Sequence, residues 1–144
     1  PHTIGRRQRQ MCIRDSDLFT VQKDDILEFV AEMMDWRKIR FLPVEDNKGK
    51  LIGLVTARIL MRYFSKNYMK DAPAKPATVK DIMIKKPITI HPEANVLETM
   101  ETLESNNIGC LPVVIEGKLI GIVTAEDFLK INKSLVIRFS KKKK

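Results

Sequence analysis

The 144-residue sequence has little of what catalysis or cross-linking needs. It holds two cysteines, Cys12 and Cys110, and two histidines, His2 and His91. Cys12 lies in a stretch set aside below. A single remaining thiol cannot form an internal bridge, so the chain suits a reducing compartment, and a cytoplasmic location is expected. Cys110 sits in an apolar run and reads as a small core residue. So few Cys and His leave no zinc-spaced set, and no metal site is predicted. No G-x-x-x-x-G-K phosphate loop and no Ser/His/acid set occur, and His91 has no evident catalytic partner. The segment is therefore not expected to be an enzyme. No apolar stretch approaches the ~20 residues that a membrane span requires, so no membrane association is expected.

Positive charge is abundant, but it sits at the ends. The formal net charge is +8. Residues 1–16 carry Arg6, Arg7, Arg9 and Arg14 against Asp15, and residues 141–144 are all lysine. Without these two stretches the body is close to neutral. It lacks the dense field that phosphate-backbone binding needs, so no nucleic-acid partner is expected. "RRQRQMCIRDS" (residues 6–16) reads as a translated transposase-type sequencing adaptor, as in a metagenomic fragment. Residues 1–16 are therefore expected to be non-native, with protein sequence missing upstream. A basic arm is the rival reading. The lysine run reads as a solvated end, with an RNA- or membrane-seeking tail as the alternative.

What is present is a repeat. "FLPV" (residues 41–44) and "CLPV" (110–113) align at an offset of 69, which also pairs "FTV" (19–21) with "ITI" (88–90). After a loop one residue shorter, the offset of 68 pairs "KLIGLVTA" (50–57) with "KLIGIVTA" (118–125), identical at seven positions of eight. Such spacing indicates internal duplication. Each copy reads as a short β piece, a helix, two strands joined by a tight turn ("DNKG" or "EG"), and a second helix. Pro92 is placed in the first turn of the second copy's helix. The helical stripes are read as Leu27, Ala31 and Met34 in copy one, and Val96, Met100 and Leu103 in copy two. Met33, Met34 and Trp36 are predicted to pack in the core. "TVKDIM" (78–83) predicts a short helix capped by Thr78. The boundaries are 17–65 for repeat one, truncated at its N-terminus, 66–77 for a linker, 78–132 for repeat two and 133–144 for a tail. "LVIRF" (135–139) has strand character.

On "VKDIM…ITI", the two "LPV" strands and the two "G-h-V-T" segments, the chain resembles a tandem pair of cystathionine-β-synthase-type (CBS) domains, a Bateman module. The resemblance covers about residues 17–131. It implies an α/β (α+β) fold of two intertwined, pseudo-symmetric β-α-β-β-α units whose packed sheets leave two clefts. It also implies an adenosine-containing regulatory ligand, namely AMP, ADP, ATP or S-adenosylmethionine, with or without magnesium, and no required cofactor. Energy sensing, pairing into a homodimer, and regulation of a fused or partner enzyme or transporter follow as family expectations. A ligand-free dimerisation or scaffold module is the alternative.

The site expectation rests on the strand-to-helix corners. Thr124 is placed at a helix start, where free N–H groups and the helix dipole attract phosphate. Gly121 permits close approach. Asp127, one turn on, can accept from ribose hydroxyls. Together these match the family motif G-h-x-[Ser/Thr]-x-x-[Asp/Asn]. The same Thr-x-x-Asp is also a capping box needing no ligand, and the two roles can coexist for Thr124. The main site is expected to comprise Gly121, Thr124 and Asp127 with Ile88, Thr89, Ile90, Gly109, Cys110, Leu111 and Pro112. Gly109 would make room for the base. In copy one Ile59 replaces the acid. A second, degraded site is expected at Thr56 and Arg58 with Phe19, Phe41, Leu42 and Pro43. Arg58 meets either a phosphate or a nearby acid, and Lys85 and Lys86 either reach phosphate or are solvated.

Overall fold

The computed structural model describes residues 18–71 and 75–128. The element order is α1 (Leu27–Arg37), β1 (Phe41–Glu45), β2 (Leu51–Thr56), α2 (Ala57–Asn67), α3 (Val79–Ile82), β3 (Ile84–Lys85), α4 (Val96–Ser105), β4 (Cys110–Ile115) and β5 (Lys118–Thr124), with residues 125–128 again helical. This mixed α+β order is the duplicated pattern that the sequence predicts. The adaptor-like stretch, the lysine run and "LVIRF" lie outside the described residues.

The duplication is visible in the details of the backbone. β1 pairs antiparallel with β2, and β4 with β5. Each hairpin carries a register shift at the equivalent place, between Val44 and Glu45 and between Val113 and Val114. The expected leading strands are reduced to single parallel bridges, Val21 to Val44 and Ile90 to Val113. The Val21 and Ile90 amides donate to the Pro43 and Pro112 carbonyls, each at 3.0 Å. Those prolines have no N–H to give to a ladder, yet their carbonyls still serve.

Turn chemistry closes both hairpins. Glu116 and Gly117 both adopt positive φ (50° and 83°), the pairing that a two-residue hairpin turn requires. In the longer turn, Asp46 Oδ1 accepts from the Lys48 and Lys50 amides at 2.8 and 2.9 Å. Those backbone bonds, the one from Lys50 first, hold the Asp46 carboxyl below its usual range. The stabilisation is present above the unfolded-chain carboxylate pKa and is lost as pH falls through the lower folded value.

Helix boundaries depart from the sequence reading in two places. Pro92 is not in the first turn of α4. It lies in an upstream turn where His91 Nδ1 accepts from the Glu93 amide at 3.1 Å, and Asn95 is the N-cap, accepting from the Glu98 amide at 2.7 Å. An Asn cap provides an acceptor that proline cannot, so the helix starts there. Trp36 does not pack in the core but is 76% exposed, with the Arg37 guanidinium 4.7 Å from its ring. The buried stripe of α1 runs through Leu27, Val30 and Met34, which leaves position 36 on the outer face. In α4 the buried positions are Thr99 and Leu103, while Val96 is exposed. Both α1 and α4 end on a left-handed residue, Lys38 and Asn107 (φ 58° and 50°). The next amide, of Ile39 or Ile108, reaches back to the Met34 or Leu103 carbonyl, a helix stop formed here without glycine.

The units intertwine. Thr78 caps α3 as expected, with its amide donating to Asp81 Oδ2 at 2.8 Å. This helix precedes repeat two in sequence but packs on repeat one. Val79 is fully buried in a cluster with Val21, Leu27, Val30, Leu42, Val44, Val55 and Leu60. β3 then adds to β2 as the third strand of that sheet. Removing such apolar side chains from water is worth ~1.5–3 kcal/mol each before entropy is counted. A second cluster joins Leu103, Leu111 and Phe128 in unit two, and a third joins Leu54, Cys110 and Ile122 with Phe41 between the units.

Gly53 permits the β2–β3 pairing. A Cβ there would lie 2.5 Å from Met83 Sδ and 3.0 Å from the Ile84 carbonyl oxygen. The sulfur can move, but the strand carbonyl cannot without breaking the ladder. Gly53→Ala is therefore expected to cost ~1–3 kcal/mol, read as a lower urea midpoint at unchanged slope.

Candidate functional site: two clefts across the repeat boundary

The corners after β2 and β5 begin alike. The Ala57 amide donates to the Arg40 carbonyl and the Ala125 amide to the Gly109 carbonyl, both at 2.8 Å. They then differ. Thr56 Oγ1 accepts from the Ile59 amide at 3.1 Å, a simple N-cap. At the second corner, Asp127 Oδ2 accepts from both the Thr124 amide (2.9 Å) and the Thr124 hydroxyl (3.1 Å). The Asp127 carboxylate is thus turned back onto its own helix start. The arrangement is the capping alternative that the sequence left open, and Asp127 lines neither cleft described below.

Two clefts flank the contact between the units, and each draws on both repeats. Cleft one has a volume of about 460 Å³. Thr56, Ala57 and Arg58 form one side, and the second repeat supplies Lys86, Pro87, Ile88, Asn107, Ile108, Gly109 and Cys110. Cleft two, at about 190 Å³, sets Ile122, Thr124 and Glu126 against Phe19, Lys38, Ile39, Arg40, Phe41 and Pro43 of the first repeat. Under the repeat offsets the linings correspond: Ile88 with Phe19, Asn107 with Lys38, Ile108 with Ile39, Gly109 with Arg40, Cys110 with Phe41, Leu54 with Ile122, Thr56 with Thr124, and Arg58 with Glu126. The clefts are therefore pseudo-symmetric copies.

This pairing corrects the expected grouping. Ile88, Gly109 and Cys110 line the cleft of Thr56 and Arg58, and Phe19, Phe41 and Pro43 line the cleft of Thr124. The sequence pattern groups each site within one repeat. Strand packing across the repeat boundary exchanges the partners. Leu42, Leu111 and Pro112 are fully buried and face the core, not a cleft. Ile90 packs beside Leu111. Thr89 lines neither cleft, and Gly121 is buried within β5. Gly109 lines cleft one, and its missing side chain leaves room first of all for the Phe41 ring. A Cβ there would meet Phe41 Cζ at 2.6 Å, so the space is already taken by that ring. Lys85 lies in β3, and only Lys86 reaches cleft one. Sequence reasoning missed Leu54, Ile84, Asn107 and Ile108. The counterparts of Leu54, Asn107 and Ile108 in cleft two, Ile122, Lys38 and Ile39, are likewise absent from the expected sites, and only the packing of one unit on the other brings them to a cleft.

Cleft one is lined mainly by apolar side chains, together with the cations Arg40, Arg58 and Lys86. Ile84 and Ile88 are 41% and 43% exposed, large apolar surface for a cleft to leave open. Arg58 and Lys86 are exposed, and among the described residues neither pairs with a carboxylate. Burial pushes the Cys110 thiol up to about 12. It stays protonated at neutral pH and offers no nucleophile.

Two linked α/β units flanked by paired clefts define a tandem-repeat fold, and sequence comparison names its family. The CBS domain profile matches residues 12–66 and 79–134. The chain belongs to the CBS domain family, as a tandem pair. It is 34% identical over 118 residues to the inosine-5'-monophosphate dehydrogenase of Methanocaldococcus jannaschii, a match covering 81% of this chain and 22% of that protein. The chain thus spans about a fifth of the length of that relative. Among solved structures it is similar to CBSX2 in complex with AMP (TM-score 0.69, 26% identity, covering 83% of this chain and 90% of that one). It is also similar to the CBS domain pair of protein MJ0100 in complex with 5-methylthioadenosine and S-adenosyl-L-methionine (TM-score 0.68, 25% identity, covering 80% and 92%). No helix among the described residues is long and apolar enough to cross a membrane.

The Asp127 geometry makes a direct prediction. Asp127→Ala removes the acceptor of two hydrogen bonds and is expected to lower stability by ~1 kcal/mol, measured by urea unfolding. Asp127→Asn keeps a carbonyl acceptor and should recover most of the loss.

Proposed function

We propose that this chain is a regulatory module that binds an adenosine-containing ligand in cleft one and modulates a fused or partner protein, without catalysis of its own. The observation that carries the reading is cleft size and lining. At about 460 Å³, cleft one falls within the ~300–1,000 Å³ of small-molecule sites, whereas cleft two at about 190 Å³ falls below it. Ile84, Ile88, Ile108 and Leu54 give a base an apolar wall. Arg58, on the first turn of α2, and Lys86 also line it. Their charges, next to the positive end of the helix, favour a phosphorylated adenosine over the sulfonium of S-adenosylmethionine. The adenosyl ligands bound by the two structural neighbours support this class of ligand.

A ligand that binds only the folded form raises its stability by RT ln(1 + [L]/Kd). Millimolar AMP, ADP or ATP is expected to raise the melting temperature, and S-adenosylmethionine to raise it less. Arg58→Ala should weaken AMP binding roughly 10-fold, as expected for loss of one charge-assisted hydrogen bond. A flat response to all four ligands would return the module to the ligand-free scaffold reading.

We extend the proposal to pairing of two chains. Trp36, Met61 and Leu97 project large apolar surfaces from α1, α2 and α4. Sedimentation equilibrium should give twice the chain mass, and Leu97→Glu with Met61→Glu should shift it to the monomer.

A further inference from the structure

The two clefts are built on equivalent positions, yet one has more than twice the volume of the other. The cause lies at three of the paired positions. Where cleft one has Gly109 and Cys110, cleft two has Arg40 and Phe41. Two small side chains are replaced by two large ones at the same place on the strand. Where cleft one has Arg58 on the second helical residue, cleft two has Glu126. Both Arg40 and Phe41 also reach into cleft one, so they form the partition between the clefts. The Phe41 ring leans over Gly109, with Cζ 2.6 Å from where a Cβ would stand. It can occupy that position only because residue 109 has no side chain. Phe19, on the far wall of cleft two, is covered by the Arg37 guanidinium 3.9 Å from its centroid. Cleft two is therefore lined by two aromatic rings and the Arg40 side chain, with Lys38 and Glu126 beside them.

We propose that Arg40, Phe41 and Glu126 close the second cleft, so that the module takes one anionic nucleotide per chain, in the first cleft. This rests on cleft one being the ligand site. Phe41 and Arg40 remove the volume that a nucleoside needs. Glu126 puts an acid at the helix start where cleft one has Arg58; Lys38 and Arg40 also line cleft two, so closure rests first on volume and only at that corner on charge. The duplicated chain is thereby asymmetric in function although symmetric in backbone.

The test transplants the residues of cleft one into cleft two and counts sites. The full chain and its Arg40→Gly/Phe41→Cys/Glu126→Arg variant are titrated with AMP by isothermal calorimetry, with circular dichroism to verify the fold. The expected stoichiometry is one per chain for the wild type and two for the variant. Arg40→Gly/Glu126→Arg changes exposed positions only and serves where the triple variant does not fold; it should show a second, weaker site. A wild type that binds two, or folded variants that stay at one, overturns the proposal and leaves cleft one as the ligand site. A wild type that binds none while the variant binds one overturns both cleft one as the ligand site and the one-per-chain count, because Arg40 and Phe41 line both clefts. No binding by either overturns both.

Discussion

Everything else in this molecule depends on the contact between the two repeats. A two-stranded hairpin with one helix on each side cannot bury both faces alone, and a lone hairpin is marginal in water. Here each hairpin closes against the other. Phe41 and Cys110, at equivalent positions, meet Leu54 and Ile122, also equivalent, in one buried cluster. At the turns, the Leu51 amide donates to the Gly117 carbonyl and the Leu119 amide to the Gly49 carbonyl, both at 3.0 Å. The two bonds are reciprocal, as a two-fold contact requires. The clefts are what remains beside that contact, where the strand-to-helix corner of one unit faces the other unit's strand start. A cleft between repeats feels any change in how they sit together. Under the proposed function, a ligand that fitted one such arrangement better than another would bias between them.

The same contact explains why the linking segment belongs to both units. α3 and β3 precede repeat two in sequence but complete the core and sheet of repeat one. The leading bridge of repeat two at Ile90 follows five residues after β3, and of the chain between them Lys86, Pro87 and Ile88 line cleft one. Lys86 has φ 52°. Left-handed backbone at a non-glycine residue costs of order 1 kcal/mol, which the pairing on one side and the bridge on the other hold in place. Its side chain is delivered to cleft one as a result.

Much of this was legible in the sequence because it is carried by local chemistry repeated twice. The offsets of 69 and 68, the "EG" turn and the Thr78 cap each have a cause within a few residues. What was not legible has a non-local cause. Trp36 was read as core because it is large and apolar; its exposure follows from which face of α1 meets α2. Asn95 was overlooked as a cap because Pro92 is itself a helix-start signal. The grouping of site residues failed for a topological reason. Repeats in sequence suggest sites within repeats, whereas packing across a pseudo-dyad exchanges one half of each site. Gly109 had the right position and the wrong occupant, since nothing near it in sequence points to Phe41.

The fate of the Thr hydroxyl ties these points to function. A hydroxyl has one proton to donate and lone pairs to accept with. At the second corner Thr124 donates that proton to Asp127, and the same carboxylate oxygen also takes the Thr124 amide. At the first corner Thr56 accepts from the Ile59 amide, and Ile59, standing where Asp127 stands in the other unit, cannot take a proton. With Ile59 in place of the acid, the Thr56 hydroxyl proton has no carboxylate partner among the described residues, and it stands beside Arg58 in the lining of the larger cleft. A phosphate oxygen there would meet a hydroxyl donor, a guanidinium and a helix start together. Loss of the acid reads as damage if the site is judged against a ribose contact. Judged by the hydrogen bonds, Ile59 leaves the first corner a simple N-cap without the acid that closes the second.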